Sequence, residues 1–163
     1  MPNQNSLLIT NRDANPVNLS NANNGAMGFN YTTYGHVPVT TAEVATNILR
    51  LVTIPSNARL TEVSLYSTAL GGTCAGNIGF YRNTREGGAI IGAGTQLGSA
   101  VSLVAAVNGA EQPGTITPIT RAQPLWQVLG FAADPRTTFD LAITLTANVA
   151  AAGSVGIEAG YVQ

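Results

Sequence analysis

The stretch Thr137-Thr138-Phe139-Asp140-Leu141-Ala142-Ile143-Thr144-Leu145-Thr146 carries the clearest structural signal in the chain. Phe139, Leu141, Ile143 and Leu145 alternate with Thr138, Asp140, Ala142, Thr144 and Thr146. A period of two is the mark of a half-buried β-strand, because successive side chains point to opposite faces of a sheet. Downstream, Ser154 to Val162 repeats the pattern, with Val155, Ile157, Ala159 and Tyr161 on one side. Ala150-Ala151-Ala152-Gly153 reads as the turn between them, which predicts a C-terminal hairpin.

Upstream, Asn47 to Ile54 is β-branched and stops at Pro55. Leu60 to Ser67 places Val63 and Leu65 on one face, with Glu62, Ser64 and Tyr66 on the other. After the break at Gly71-Gly72, Asn77 to Arg82 places Ile78 and Phe80 together. Two segments have helical features. Pro124 to Leu129 has proline near a helix start and Gly130 at the capping position. Leu97 to Val107 fits either a helix or a strand, and strand is the better reading. Short strands, frequent Gly, Pro and Asn turns, and no alternation of strand with helix predict an antiparallel β-sandwich of jelly-roll type with one or two short helices.

Residues 1–35 differ in composition. They hold nine asparagines, and Arg12 and Asp13 are their only charges. Leu7-Leu8-Ile9 is a short apolar run, and Asn23-Asn24-Gly25 is a turn signal. The division expected is an extended N-terminal arm over 1–35 and a β-sandwich domain over 36–163. An arm of this kind binds by adding a strand to a neighbouring subunit, through backbone hydrogen bonds. The candidate partner-binding residues are Leu7, Leu8, Ile9, Arg12 and Asn24 of the arm, with Tyr31, Tyr34 and the anchor Trp126.

Composition narrows the function classes. At 163 residues the chain suits one domain. Charged residues make up 9%, against about 25% in an ordinary globular protein. A surface so poor in charge suits a protein partly covered by partners. There is no lysine, which reads as the bias of a GC-rich genome, and the seven arginines are scattered from Arg12 to Arg136. They form no cationic stripe of the kind that displaces counterions from phosphate, so no nucleic-acid partner is expected. No apolar run reaches the ~18 residues of a membrane helix, and the polar start lacks a basic leader, so neither membrane nor secretion is expected. Asn18-Leu19-Ser20 and Asn30-Tyr31-Thr32 match the glycosylation pattern by chance in so asparagine-rich a segment.

The chemistry is sparse. Cys74 is the only cysteine and His36 the only histidine, so an intrachain disulfide and a zinc cluster lack their parts. Any triad must use His36, which lies in the loop-like Thr33–Pro38 with no nucleophile-elbow motif. Neither a metal nor a cofactor is expected, and the chain is not expected to be an enzyme. Gly92 to Gly98 is glycine-rich but has neither a dinucleotide nor a phosphate-loop spacing. Asp140 and Glu158, on the outward faces of the last two strands, are the one carboxylate pair a glycosidase would use. Their ordinary role is to solvate the outer face. Tyr31, Tyr34, Tyr66 and Tyr81 are the aromatic candidates for a carbohydrate-binding face, the alternative to a structural role.

Several stretches carry a resemblance. Val52-Thr53-Ile54-Pro55-Ser56-Asn57-Ala58-Arg59-Leu60 runs into Val63-Ser64-Leu65-Tyr66. Gly76 to Arg82, Pro124 to Gly130, Asp134-Pro135, Phe139 to Thr144 and Ala152 to Ile157 continue it. Together, over about residues 52–162, they resemble the small head-accessory proteins of tailed bacteriophages. The resemblance implies a jelly-roll cement or decoration protein of the virion. It implies a homotrimer bound to the major capsid protein on the outer surface of the head, after synthesis in the host cytoplasm.

Overall fold

A computed structural model describes residues 30–163, except Pro113, Thr115, Ile116, Pro118 and Ile119. The eight strands among them are β1 Asn30–Val39, β2 Ile48–Pro55, β3 Arg59–Ser67, β4 Ala75–Arg82, β5 Gly98–Ser102, β6 Val107–Glu111, β7 Thr138–Leu145 and β8 Gly153–Val162. They form two four-stranded antiparallel sheets, ordered β1-β8-β3-β6 and β2-β7-β4-β5. The pairing is nested: β4 lies beside β5, β3 beside β6, β2 beside β7 and β1 beside β8. A long antiparallel ribbon rolled into two layers produces this order, which is the jelly-roll winding of a β-sandwich.

The alternation read from the sequence becomes the core. Val63 and Leu65 of β3 and Val155, Ile157 and Ala159 of β8 face Ile78 and Phe80 of β4 and Phe139, Leu141 and Ile143 of β7. All are buried. Each large side chain removed from water in this way contributes about 2 kcal/mol. Leu97 and Val101 join the core from the β5 segment, where the strand reading holds over Gly98–Ser102. The Pro124 segment forms a single helical turn, α1, over Leu125–Val128. Its backbone is pinned to the β2–β3 turn by Leu125 N–H to Ala58 O (2.7 Å) and Trp126 N–H to Ser56 O (3.0 Å).

Three expectations need correction or relocation. The C-terminal hairpin does not form, because β7 and β8 belong to different sheets. Residues 146–152 cross between the layers, with Val149 buried and the N–H groups of Ala150 and Ala151 both donating to Leu70 O (3.1 and 2.9 Å). Alternation reveals which side chains point inward, but not which sheet a strand joins. Nor is β7 half-buried: Asp140 and Ala142, on its outer face, are buried as well. As for the expected arm, residues 1–29 lie outside the described residues, and 30–35 are paired strand. Within β1, Tyr31 lies opposite Tyr161 and Tyr34 opposite Glu158.

Candidate interaction surface

The two outer faces of the sandwich have opposite character. On the β2-β7-β4-β5 sheet, residues 83–97 return along the β4 edge, with Ile91 and Leu97 in the core and Gly88 and Gly94 over part of the outer face, while Ile48 and Thr53 of β2 stay exposed. Gly79 permits this approach, since a Cβ there would stand 2.4 Å from the backbone of Gly94. Beneath the loop, Arg50 acts as a polar rivet. Its guanidinium donates to Asp140 Oδ2 (2.8 Å), to Arg82 O (3.1 Å) and to Gly88 O (2.6 Å), and lies 5.2 Å from the centre of the Tyr81 ring. Thr53 Oγ1 donates to the other Asp140 oxygen (3.1 Å), and the Tyr81 hydroxyl bonds Thr144. The charge of Asp140 is thus answered inside the molecule, as a carboxylate so far from water requires.

Among the described residues the outer face of the β1-β8-β3-β6 sheet is the more open, with Tyr34 and Glu62 exposed, although Ser64 on it is buried. The strand registers lay out one row as Tyr34, Glu158, Ser64 and Glu111, and the next as His36, Gly156, Tyr66 and Asn108. Tyr34 is 56% exposed. It stacks on His36 (5.8 Å between ring centres) and meets Tyr66 edge-on (6.0 Å). Gly156 lies beneath it: a Cβ at that position would come 2.7 Å from the Tyr34 hydroxyl. Tyr66 donates to Glu158 Oε2 (3.2 Å), and Ser64 donates to Glu62 Oε1 (3.1 Å). The hydrogen bond to Glu158 first, then partial desolvation and the nearby carboxylate charges, push the Tyr66 phenol above its ordinary pKa.

The candidate residues divide accordingly. Tyr34 belongs to the open face. Tyr31 is 43% exposed but lies on the opposite side of β1, stacked on Tyr161 at 5.5 Å. Trp126 is half-buried and packs against the core beside α1. Leu7, Leu8, Ile9, Arg12 and Asn24 lie outside the described residues. Tyr81 is buried under the 83–97 loop and offers no sugar platform. Sequence reasoning missed Glu62 as a companion of Glu158. Their shared face follows from the register between β3 and β8, which has a bulge between Leu60 and Glu62.

Catalytic arrangements find little support in this geometry. Asp140 and Glu158 project from opposite outer faces, separated by the thickness of the sandwich, and cannot flank one glycosidic bond. Cys74 is buried, and burial raises its thiol pKa, which makes it a poor nucleophile. His36 stands exposed on β1 beside Tyr34. No group of three or more His, Cys, Asp or Glu side chains suited to a metal ion occurs among the described residues. Asp134, in an open polar cleft with Arg136 and Gln163, accepts from Ser56 Oγ (2.5 Å) and from Arg136 N–H (2.9 Å). These two bonds hold its carboxyl below the usual range.

No protein-family model matches the chain, and no curated protein matches it. Solved structures do. One is a chain of the Cyanophage Pam1 capsid asymmetric unit, at a TM-score of 0.58 and 20% identity, covering 99% of each chain. Another belongs to the capsid of Ralstonia phage GP4, at a TM-score of 0.58 and 16% identity, covering 83% of this chain and 84% of that one. At such identities the likeness is one of fold. The sandwich described above is a fold also found in chains of two phage capsids.

Proposed function

We propose that this chain is a non-enzymatic structural protein of a phage virion. In this reading it is a decoration protein that binds the outside of the capsid as a homotrimer, against the major capsid protein, and stabilises the shell. The observation that carries the reading is the fold shared, over 99% of both chains, with a chain of a phage capsid asymmetric unit. The low charge and the more open outer face of one sheet support it. The residues before β1 act as the arm, reaching a neighbouring subunit or the shell.

The mechanism is association without chemistry. A specific interface of ~1,600 Å² in total suffices for stable docking. A trimer engages the lattice at several points, so the second and third contacts form at high effective concentration. A protein that binds only the assembled lattice shifts the equilibrium toward that lattice by mass action.

The test is to mix the purified protein with heads that lack it and image the particles. Added density on the shell is the expected result, with greater resistance of the heads to heat. Bare shells at saturating protein would overturn the decoration role. The exposed Tyr34–His36 stack gives some support to a carbohydrate-binding module of a tail fibre or adhesion structure. Glycan affinity lost in Tyr34→Ala would favour that second reading.

A further inference from the structure

We propose that the outer face of the β1-β8-β3-β6 sheet docks onto a basic, arginine- or lysine-bearing surface of the capsid shell, with Glu62 and Glu158 meeting the cations and Tyr34 as the aromatic anchor. This rests on the virion reading above.

The carboxylates of the described residues are answered in different ways. Asp140 is paired with Arg50 at 2.8 Å, Glu111 with Arg121 at 2.9 Å, and Glu86 approaches Arg82 at 4.0 Å. Glu43 accepts from the Asn47 amide, and Asp134 from Ser56 Oγ and the Arg136 backbone N–H. Glu62 and Glu158 accept from the neutral hydroxyls of Ser64 and Tyr66. Both stand on one face, around Ser64: Glu158 lies directly opposite it and Glu62 two residues before it on the same strand. Two negative charges held together make the potential of the face negative, and a cationic partner relieves their repulsion. Arg121, at the β6 edge, is engaged by Glu111, and Arg59 stands at the start of β3 opposite Val162.

Shape points to a broad partner. Gly156 and Gly160 flank Glu158 on the central strand β8, so Glu158 is the main projection from that strand between them. Tyr34 lies over Gly156 with its ring exposed. A guanidinium arriving at this point would meet a carboxylate and an aromatic face together, a pairing that favours arginine. Tyrosine is also a frequent hot spot of protein interfaces. The opposite sheet lacks this pairing, since its carboxylate is satisfied by Arg50.

The test measures affinity for heads that lack the protein, across a range of salt concentrations. It compares the natural chain with E62Q/E158Q, with Y34A and with the control R85Q, an exposed charge on the other side of the sandwich. Glutamine preserves side-chain shape and the acceptor for Tyr66, and thermal melting checks that each variant is folded. The expected result is that E62Q/E158Q binds roughly tenfold more weakly at low salt, with a flatter salt dependence, and that R85Q is unchanged. Y34A should also weaken binding by roughly tenfold. Natural affinity and salt slope in E62Q/E158Q would overturn the inference while leaving the virion reading intact. Failure of the natural chain to bind heads would overturn both. A fall in oligomer mass in E62Q/E158Q, seen by sedimentation, would assign the face to a second copy and also overturn the inference.

Discussion

Arg50 joins four parts of the molecule through one side chain. It reaches Asp140 on β7, the carbonyls of Arg82 and Gly88 at either end of a turn, and the ring of Tyr81 on β4. Arg50→Ala would leave Asp140 without its cation and detach the loop above it. The expected cost is roughly 2–3 kcal/mol, below that of a fully buried pair because the Arg50 side chain keeps some contact with water. The shift in urea midpoint measures it. Arg50→Lys should recover only part of the loss, since one ammonium cannot reproduce the planar fork. None of this was legible in the sequence. Asp140 reads there as an outward polar residue in an alternating strand, and only the loop folded back over Gly79 makes it a buried one. Tyr34 was legible as a binding candidate, whereas Glu62 was not, because its place beside Glu158 depends on cross-strand register.

Among the elements, the strands were the easiest to read. The alternation in β3, β4, β7 and β8 marks the core directly, since a strand places every second residue on the buried face. The pairing was harder: the local pattern around Ala150–Gly153 suits a turn, yet the chain there passes from one sheet to the other. Long-range partners such as β1 with β8 leave no local trace in either segment. β1 also sharpens the arm. Asn30–Val39 is an edge strand hydrogen-bonded to β8, so any arm distinct from the sandwich lies before Asn30. Deleting residues 1–29 should therefore preserve a cooperative β-sheet unfolding transition, while weakening oligomerisation or shell binding. Circular dichroism and sedimentation check the two halves. Unchanged assembly would remove the arm from the mechanism, and deletion through residue 35 would strip paired strand and destabilise the fold.

For the whole molecule, the central feature is a sandwich with one finished face and one open face. The finished face is partly covered by residues 83–97 and has its buried charge neutralised. The open face presents tyrosines, a histidine and two carboxylates whose hydrogen bonds come from hydroxyls. The fold is one also found in phage-capsid chains, and in the proposed function the partner of the open face lies on a phage shell. A density map of the native particle by electron cryomicroscopy tests this most directly. The account predicts a two-layered sandwich on the shell, with the β1-β8-β3-β6 sheet turned toward basic side chains of the capsid and the 83–97 loop turned away. Particles without this density, or with the open face turned to solvent, would contradict it.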